Sequence, residues 1–334
     1  MWRWLIPTIV GILVLLYVLL WLAYYFMLQK MRSDYNPYLK YFTVNDYPEL
    51  VREDYTFVKK NGVQIAAFIY KDATITKYHG LVTFLHGIGA GHEAYTGVIK
   101  ELCNHGYIVF AYDQSSCGLS GGDGIGSIKI VLEDLEEANE FLSNLKPYED
   151  YPFFIMGHSL GGYASINSTS LRLRRPYEKI IAISPASDSL GQVRPVAIVE
   201  NILYPVLRFY EFTHLKKFVG INGNKSIRES HTPTIVLHGD EDEIVPYRVF
   251  RGLVKASTHR ENVQFVTFYG RRHQPHVTKD AETIIDTKVL RLASSFKLKG
   301  KPEVLEELKE SIDFEKAVLP NNDFYKIVFD FLEN

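Results

Sequence analysis

The sequence predicts an α/β protein: a mostly parallel central sheet with helices on both faces, preceded by one transmembrane helix. Three observations carry this. Short continuous apolar runs alternate with helix-period segments from about residue 54 onward, a hairpin signal opens that series, and a long charge-free run stands before it. Strands of a parallel sheet meet no water on either side, so they read as unbroken apolar runs and not as an apolar/polar alternation.

From Trp4 to Leu28 there is no charged side chain. About 20 apolar residues at 1.5 Å rise cross the hydrocarbon core, so this run is long enough to span. Trp2 and Trp4 at one end and Trp21, Tyr24 and Tyr25 at the other suit the membrane interfaces. A cleaved signal would have a shorter apolar region ending in small residues, whereas this one ends in Tyr24-Tyr25-Phe26, which favours an uncleaved single-pass anchor. Arg3 lies before the run and Lys30, Arg32 and Lys40 after it, a small bias toward a cytoplasmic C-terminal domain. The expected division is residues 1–32 as anchor, 33–53 as a connector interrupted by Pro37 and Pro48, and 54–334 as one domain.

Composition narrows the function. Among 334 residues, 37 Lys and Arg against 39 Asp and Glu give a formal charge of −2, which supplies no basic field for nucleic acid. Cys103 and Cys117 are the only cysteines, too few for a disulfide framework or a structural zinc site. No metal and no organic cofactor is expected.

The elements follow in order. Asn61-Gly62 between the apolar-rich runs 55–59 and 63–70 reads as a hairpin turn. Gly80 to Leu85 is a strand ending at His86-Gly87, a helix covers about Glu93 to His105, and Tyr107 to Tyr112 is the next strand. Val131, Leu135, Ala138 and Leu142 give the helix near 128–145 one buried face. Pro152 to Met156, Lys179 to Ile183, Thr234 to Leu237 and Val263 to Tyr269 are further strands. In such a sheet, chemistry sits at the carboxyl ends of the strands.

At the end of the strand 152–156 stands Gly157-His158-Ser159-Leu160-Gly161, a G-x-S-x-G placed between a strand and a helix. A sharp turn there exposes the serine hydroxyl, and the glycines remove side chains that would collide with neighbouring backbone. A serine needs a base, and the base needs an orienting acid. The loop after 234–237 carries Asp240, Glu241, Asp242 and Glu243; the loop after 263–269 carries His273 and His276. The order Ser, acid, His on successive strand ends is that of a nucleophile elbow with its triad.

With these motifs the chain resembles the α/β-hydrolase family, in the group of serine lipases, lysophospholipases and monoacylglycerol lipase-like enzymes, over roughly Tyr55 to the C-terminus. The resemblance implies Asp242 as the acid, from the pattern H-G-x-x-D, and His273 as the base, from G-x-x-H, with His276 as the competitor. It also implies an oxyanion hole from the amides of Ile88, after His86-Gly87, and Leu160. Asp113 to Ser120 is similar to the family's D-x-x-G-x-G-x-S segment, except that Ser116 stands where glycine is usual. His86 and His158 read as supports of the glycine turns; His92, His105, His214 and His259 read as helix or surface residues.

About 45 residues, Ala186 to His231, separate the sixth strand from Thr234, which is long for a connection and implies a lid at about 187–231. Its segment 196–212 is apolar nearly all round, so it calls for a second apolar partner: an acyl chain, the membrane, or plain packing. Residues 302–319 read as a solvated charged helix and 323–332 as an amphipathic helix packed on the sheet. The expected activity is hydrolysis of a small amphiphilic carboxylic ester, monoacylglycerol or lysophospholipid in type, through an acyl-enzyme. A thioesterase or serine peptidase would use the same three residues, and a catalytically inactive membrane-tethered binding module would need none of them.

Overall fold

The computed structural model describes residues 2–89, 91–188, 197–214, 216–297 and 299–334. Eight strands form one sheet: β1 (Leu50–Val58), β2 (Gln64–Asp72), β3 (Gly80–Leu85), β4 (Tyr107–Tyr112), β5 (Phe153–His158), β6 (Lys179–Ile183), β7 (Thr234–Gly239) and β8 (Val263–Phe268). Their spatial order is β1-β2-β4-β3-β5-β6-β7-β8. The β1–β2 hairpin is antiparallel and joins β4 antiparallel; every pairing from β4 to β8 is parallel. β1 begins at Leu50, inside the stretch read as connector, because Leu50 is buried in the core and pairs with Asp72.

Side chains alternate across a strand, so each strand feeds two cores. From β3, Val82 and Phe84 enter one cluster while Leu81 and Leu85 enter the other. The first is closed by helices α2 (Thr96–Asn104), through Val98, Ile99 and Leu102, and, at the C-terminus, by the last helix, Asn322–Glu333, through Phe324, Val328 and Phe329. The second is closed by α3 (Ile130–Ser143) and α4 (Leu160–Asn167). Fully burying one Leu, Ile or Phe contributes about 1.5–3 kcal/mol, so two such layers are the main stabilisation of the sheet that carries the strand ends.

The N-terminal helix α1 (Trp2–Gln29) is long and apolar enough to cross a membrane by length and composition, and much of its surface is exposed. Its last turns are docked. Leu28 is fully buried with Ile125 and Tyr210, and Trp21, Tyr24 and Tyr25 ring Tyr210. Tyr210 belongs to α5 (Ala197–His214), the main helix of the segment read as a lid, and Tyr17 of α1 donates to the Pro205 carbonyl of α5 at 3.1 Å. Among its described side chains, Phe209, Tyr210 and His214 find apolar partners on α1. Within the predicted lid, residues 189–196 and 215 lie outside the described residues.

Helices α6 (Gly223–Glu229) and α7 (Tyr247–Ala256) flank β7. After β8 come α8 (Lys279–Ile284), a π-turn at Ile285–Val289, α9 (Leu290–Lys297), α10 (Pro302–Glu310), α11 (Phe314–Ala317) and the terminal α12 (Asn322–Glu333). The connector after α1 is strapped down: Ser33 bridges to Cys117, and Arg32 donates to the carbonyls of Ser120, Gly122 and Gly118.

Candidate active site

β5 delivers Ser159 at its carboxyl end, immediately before α4. Ser159 takes φ 56° and ψ −114°, a left-handed conformation that a non-glycine residue adopts only under constraint. Two bonds impose it: the Ser159 amide donates to Ile183 O at 2.8 Å and its carbonyl accepts from the Tyr163 amide at 2.9 Å. The flanking glycines are required by close packing. A Cβ on Gly161 would lie 2.1 Å from Leu85 O, and one on Gly157 would lie 2.3 Å from Gly161 O.

β7 and β8 deliver the other two residues. Asp242 Oδ2 accepts from His273 Nδ1 at 2.7 Å, while its Oδ1 accepts from the amides of Ile244 and Val245 at 2.9 and 2.8 Å. Asp242 and His273 are both buried, which removes competing water from this pair. Asp240, by contrast, accepts from the Gly270 amide at 2.7 Å and so fixes the turn after β8; Glu241 and Glu243 are exposed. His276 makes no bond to Asp242 among the described residues; its ring packs between those of His158 and Phe324. Burial, with the charges of His273 and Arg271, pushes its pKa down to about 3. The geometry therefore joins His273, not His276, to the acid.

A chain of hydrogen bonds ties this pair to the loop after β3. The Gly87 amide donates to Tyr95 Oη at 3.2 Å, Tyr95 bonds His158 Nδ1 at 2.8 Å, and His158 Nε2 bonds the His273 carbonyl at 2.8 Å. Since the His273 carbonyl can only accept, His158 carries its proton on Nε2 and Tyr95 donates to Nδ1. Burial holds the His158 pKa well below the ordinary value, consistent with that neutral tautomer. The reading of His158 as a support of its turn thus has a specific form: it sets the main chain of His273. Tyr95 was not singled out from sequence, and nothing in its local pattern marks it.

Ile88 and Leu160 flank the serine. Neither amide donates to a backbone carbonyl among the described residues, and Leu160 opens α4, where the first amides have no partner within the helix. Both can face a developing negative charge.

Two readings need correction. Of the two readings of His92, helix or surface, the first holds, since it opens the short helix His92–Tyr95, and the second does not: it is buried, with Nδ1 2.8 Å from Asp113 Oδ1 and Nε2 2.8 Å from Tyr70 Oη. Asp113 also accepts from the Leu119 amide, and the connector's Tyr35 bonds it at 3.3 Å. Burial alone would raise the Asp113 pKa; the bond to His92, the charges of His92 and His86 and the Leu119 amide together outweigh it and hold the carboxyl below the usual range. Ser116, where a glycine is usual, does adopt φ 62°, held by its amide on Gly121 O at 2.9 Å.

The second correction concerns the cavity. Ser159 and His273 open onto a space of about 310 Å³. Its lining includes Leu39 and Phe42 of the connector, Ile285, Val289 and Ala293 after β8, and Phe314 and Val318 around α11; none of the described residues of 187–231 lines it. The charged stretch 302–319 was read as solvated. That holds for α10, where only Leu305 is buried, but α11 turns Phe314 and Ala317 inward. No group of three or more His, Cys, Asp or Glu suited to a metal occurs among the described residues.

This geometry has parallels in known proteins. A family model described as serine aminopeptidase, S33, matches residues 76–226. A monoacylglycerol lipase of Mycolicibacterium smegmatis is 22% identical over 274 residues, 70% of this chain and 95% of the relative. A monoglyceride lipase homolog of monkeypox virus is 24% identical over 262 residues, 64% of this chain and 92% of the relative. Among solved structures, an esterase of Pyrococcus furiosus superposes with a TM-score of 0.56 at 20% identity, covering 80% of this chain and 97% of that one. By topology and by this superposition the chain has the α/β-hydrolase fold. In sequence it is similar to monoacylglycerol lipases at 22–24% identity.

Proposed function

We propose that this α/β-hydrolase is a membrane-anchored serine hydrolase that cleaves a monoacylglycerol or a related lysolipid ester through an acyl-enzyme on Ser159. Its class, a carboxylic ester hydrolase of the esterase and lipase type, rests on the family and the relatives above. The finer reading is carried by one observation: a serine on a strained strand-to-helix turn shares an apolar cavity with a histidine whose Nδ1 is held by a buried carboxylate.

In the proposed reaction His273 Nε2 takes the proton of Ser159 as Oγ attacks the ester carbonyl. Asp242 keeps Nδ1 protonated and stabilises the imidazolium; the amides of Ile88 and Leu160 receive the oxyanion. The alcohol leaves with the proton from His273, and water, activated by the same imidazole, releases the acid.

The family model's description raises a peptidase as a second reading. An aminopeptidase must hold a substrate ammonium, yet no Asp or Glu is among the described residues lining the cavity. Among the described lining residues the one Lys, Lys40, is paired with Glu315 at 2.6 Å, so it is not free to hold a phosphate. A neutral glycerol ester matches this wall best. For membrane attachment, α1 and its interfacial aromatics support an anchor over a removed leader, since its last turns pack into the folded domain.

The test is labelling with a fluorophosphonate, then release of fatty acid from monoacylglycerol in mixed micelles. Label equal in wild type and Ser159→Ala rejects the nucleophile. Normal label with faster release of amino acids from peptide amides than of fatty acid from the lipid rejects the ester reading.

A further inference from the structure

The cavity beside Ser159 is walled by two segments distant in sequence that the sheet itself does not need. One is the connector leaving α1, the other the stretch from the π-turn to α11. They are built onto each other: Leu39 packs with Val289 and Phe314 around the buried Leu292, Leu305 and Ile312. Lys40 reaches Glu315 at 2.6 Å and lies over the Phe42 ring at 4.2 Å. Phe42 is itself buried.

The connector is held in place before and after this contact. Tyr35 is bonded to Asp113, the Asn36 side chain accepts from the Tyr38 amide at 2.9 Å, and Thr43 and Asp46 form a reciprocal cap. Leu39, Phe42, Val289, Leu290, Phe314 and Val318 leave the wall apolar, and the described part of the segment read as a lid contributes nothing to it.

We propose that this wall holds the acyl chain of the substrate, so that chain-length selection is set by the membrane connector and the C-terminal segment. The inference rests on the ester-hydrolase reading and goes beyond it. The segment that joins the catalytic domain to its anchor is part of the substrate site, and the described part of the lid helix, packed against α1, is not. Burial of an unbranched chain against such a wall raises kcat/KM about fourfold per methylene until the cavity is full.

The test uses the full-length protein in detergent with p-nitrophenyl esters from acetate to palmitate. Ala293→Trp and Leu39→Trp shorten the space; they are expected to lower the ratio of the long-ester rate to the acetate rate by at least about tenfold. Phe314→Ala, which adds space in place of filling it, is expected to move the preferred length upward. Phe209→Ala on the exposed side of α5 is expected to leave the profile where it was.

If the tryptophan variants lower acetate and palmitate in equal proportion, or if Phe209→Ala moves the profile while they do not, the acyl chain lies elsewhere and the inference is overturned with the ester reading intact. If wild-type Ser159 takes no fluorophosphonate, the ester reading falls and this inference with it.

Discussion

His273 Nδ1 and Asp242 Oδ2 are 2.7 Å apart, and the other oxygen of the same carboxylate is occupied by two backbone amides, those of Ile244 and Val245. The carboxylate is therefore fixed in plane and can hold only one imidazole tautomer. Asp242→Asn replaces the acceptor by an amide that can present its NH₂ to Nδ1, which moves the proton to Nε2, where the serine must deliver its own. The expected loss is about 10⁴-fold in kcat with little change in melting temperature. Stopped-assay kinetics with parallel thermal melts check it; a loss below about tenfold would remove Asp242 from the proposed triad.

Two buried histidines lie near His273, His158 in ring contact with it and His276 in ring contact with His158, and their titration has a definite sign. His276 is pushed down to about 3 by burial, and His158 is pushed well below its ordinary value by the same cause. Both stay neutral in the fold while the unfolded chain protonates them below about pH 6.5. The unfolded state then binds more protons, so stability is full above about pH 6.5 and declines as pH falls toward the folded values. Each histidine adds at most about 1.4 kcal/mol per pH unit over that range. Denaturant melts between pH 7 and 4 are expected to flatten in His276→Phe, whose ring can occupy the same pocket beside Phe324. An unchanged slope would show that His276 does not contribute.

Arg32 makes the anchor's exit part of the domain. Its guanidinium donates to three carbonyls of the loop 118–122, the loop that also carries the left-handed Gly118 and lies on Asp113. Charge-assisted bonds of this kind contribute about 1.5–3 kcal/mol, so in a domain of this size Arg32→Ala is expected to lower Tm by about 3–5 °C. Cutting the chain at Tyr35 removes Arg32, the Ser33 bridge and the buried Leu28 together, so the truncated protein is expected to melt lower still. Differential scanning calorimetry of the two forms decides; equal melting would show the anchor to be a separable stalk.

The legible and illegible parts of this protein divide by the length scale of their signals. Ser159, Asp242 and His273 each sit in a pattern a few residues long at the end of an apolar strand, and the parallel order of the strands brings the three ends together without further information. Asp240 and Asp242 could be told apart only by a family pattern; the structure supplies the reason, since Asp240 bonds the Gly270 amide. The cavity wall has no local signal. Leu39 and Phe42 look like connector residues, and Phe314 lies in a charged stretch whose charges report only its wet face. One trace was present: Ile285, Val289 and Ala293 recur at helical spacing, which marks a buried face but not what it faces. Likewise the apolar helix 196–212 demanded a partner, and composition alone could not choose α1 from an acyl chain or the bilayer.

The pairing of α1 with α5 carries a last expectation. Tyr17 meets Pro205 and Phe209, Trp21 meets Tyr210 and His214, and Tyr25 meets His214, so the two helices run parallel, and among the described side chains their contact begins at Tyr17. The turns of α1 before that contact, Trp4 to Leu16, amount to about 20 Å at 1.5 Å per residue, less than the roughly 30 Å of a hydrocarbon core. If α1 spans, the bilayer must extend past Tyr17 and take in the α5 residues beside it. Phe209, half exposed next to Tyr17, is then in lipid, while Lys217 beyond the end of α5 is in water. A fluorophore on Phe209→Cys, in a background with Cys103 and Cys117 replaced by serine and alanine, is expected to be quenched by nitroxide-labelled acyl chains in vesicles, and one on Lys217→Cys is not. Equal exposure of both positions to aqueous iodide would place α5 outside the membrane and α1 in some other position than spanning.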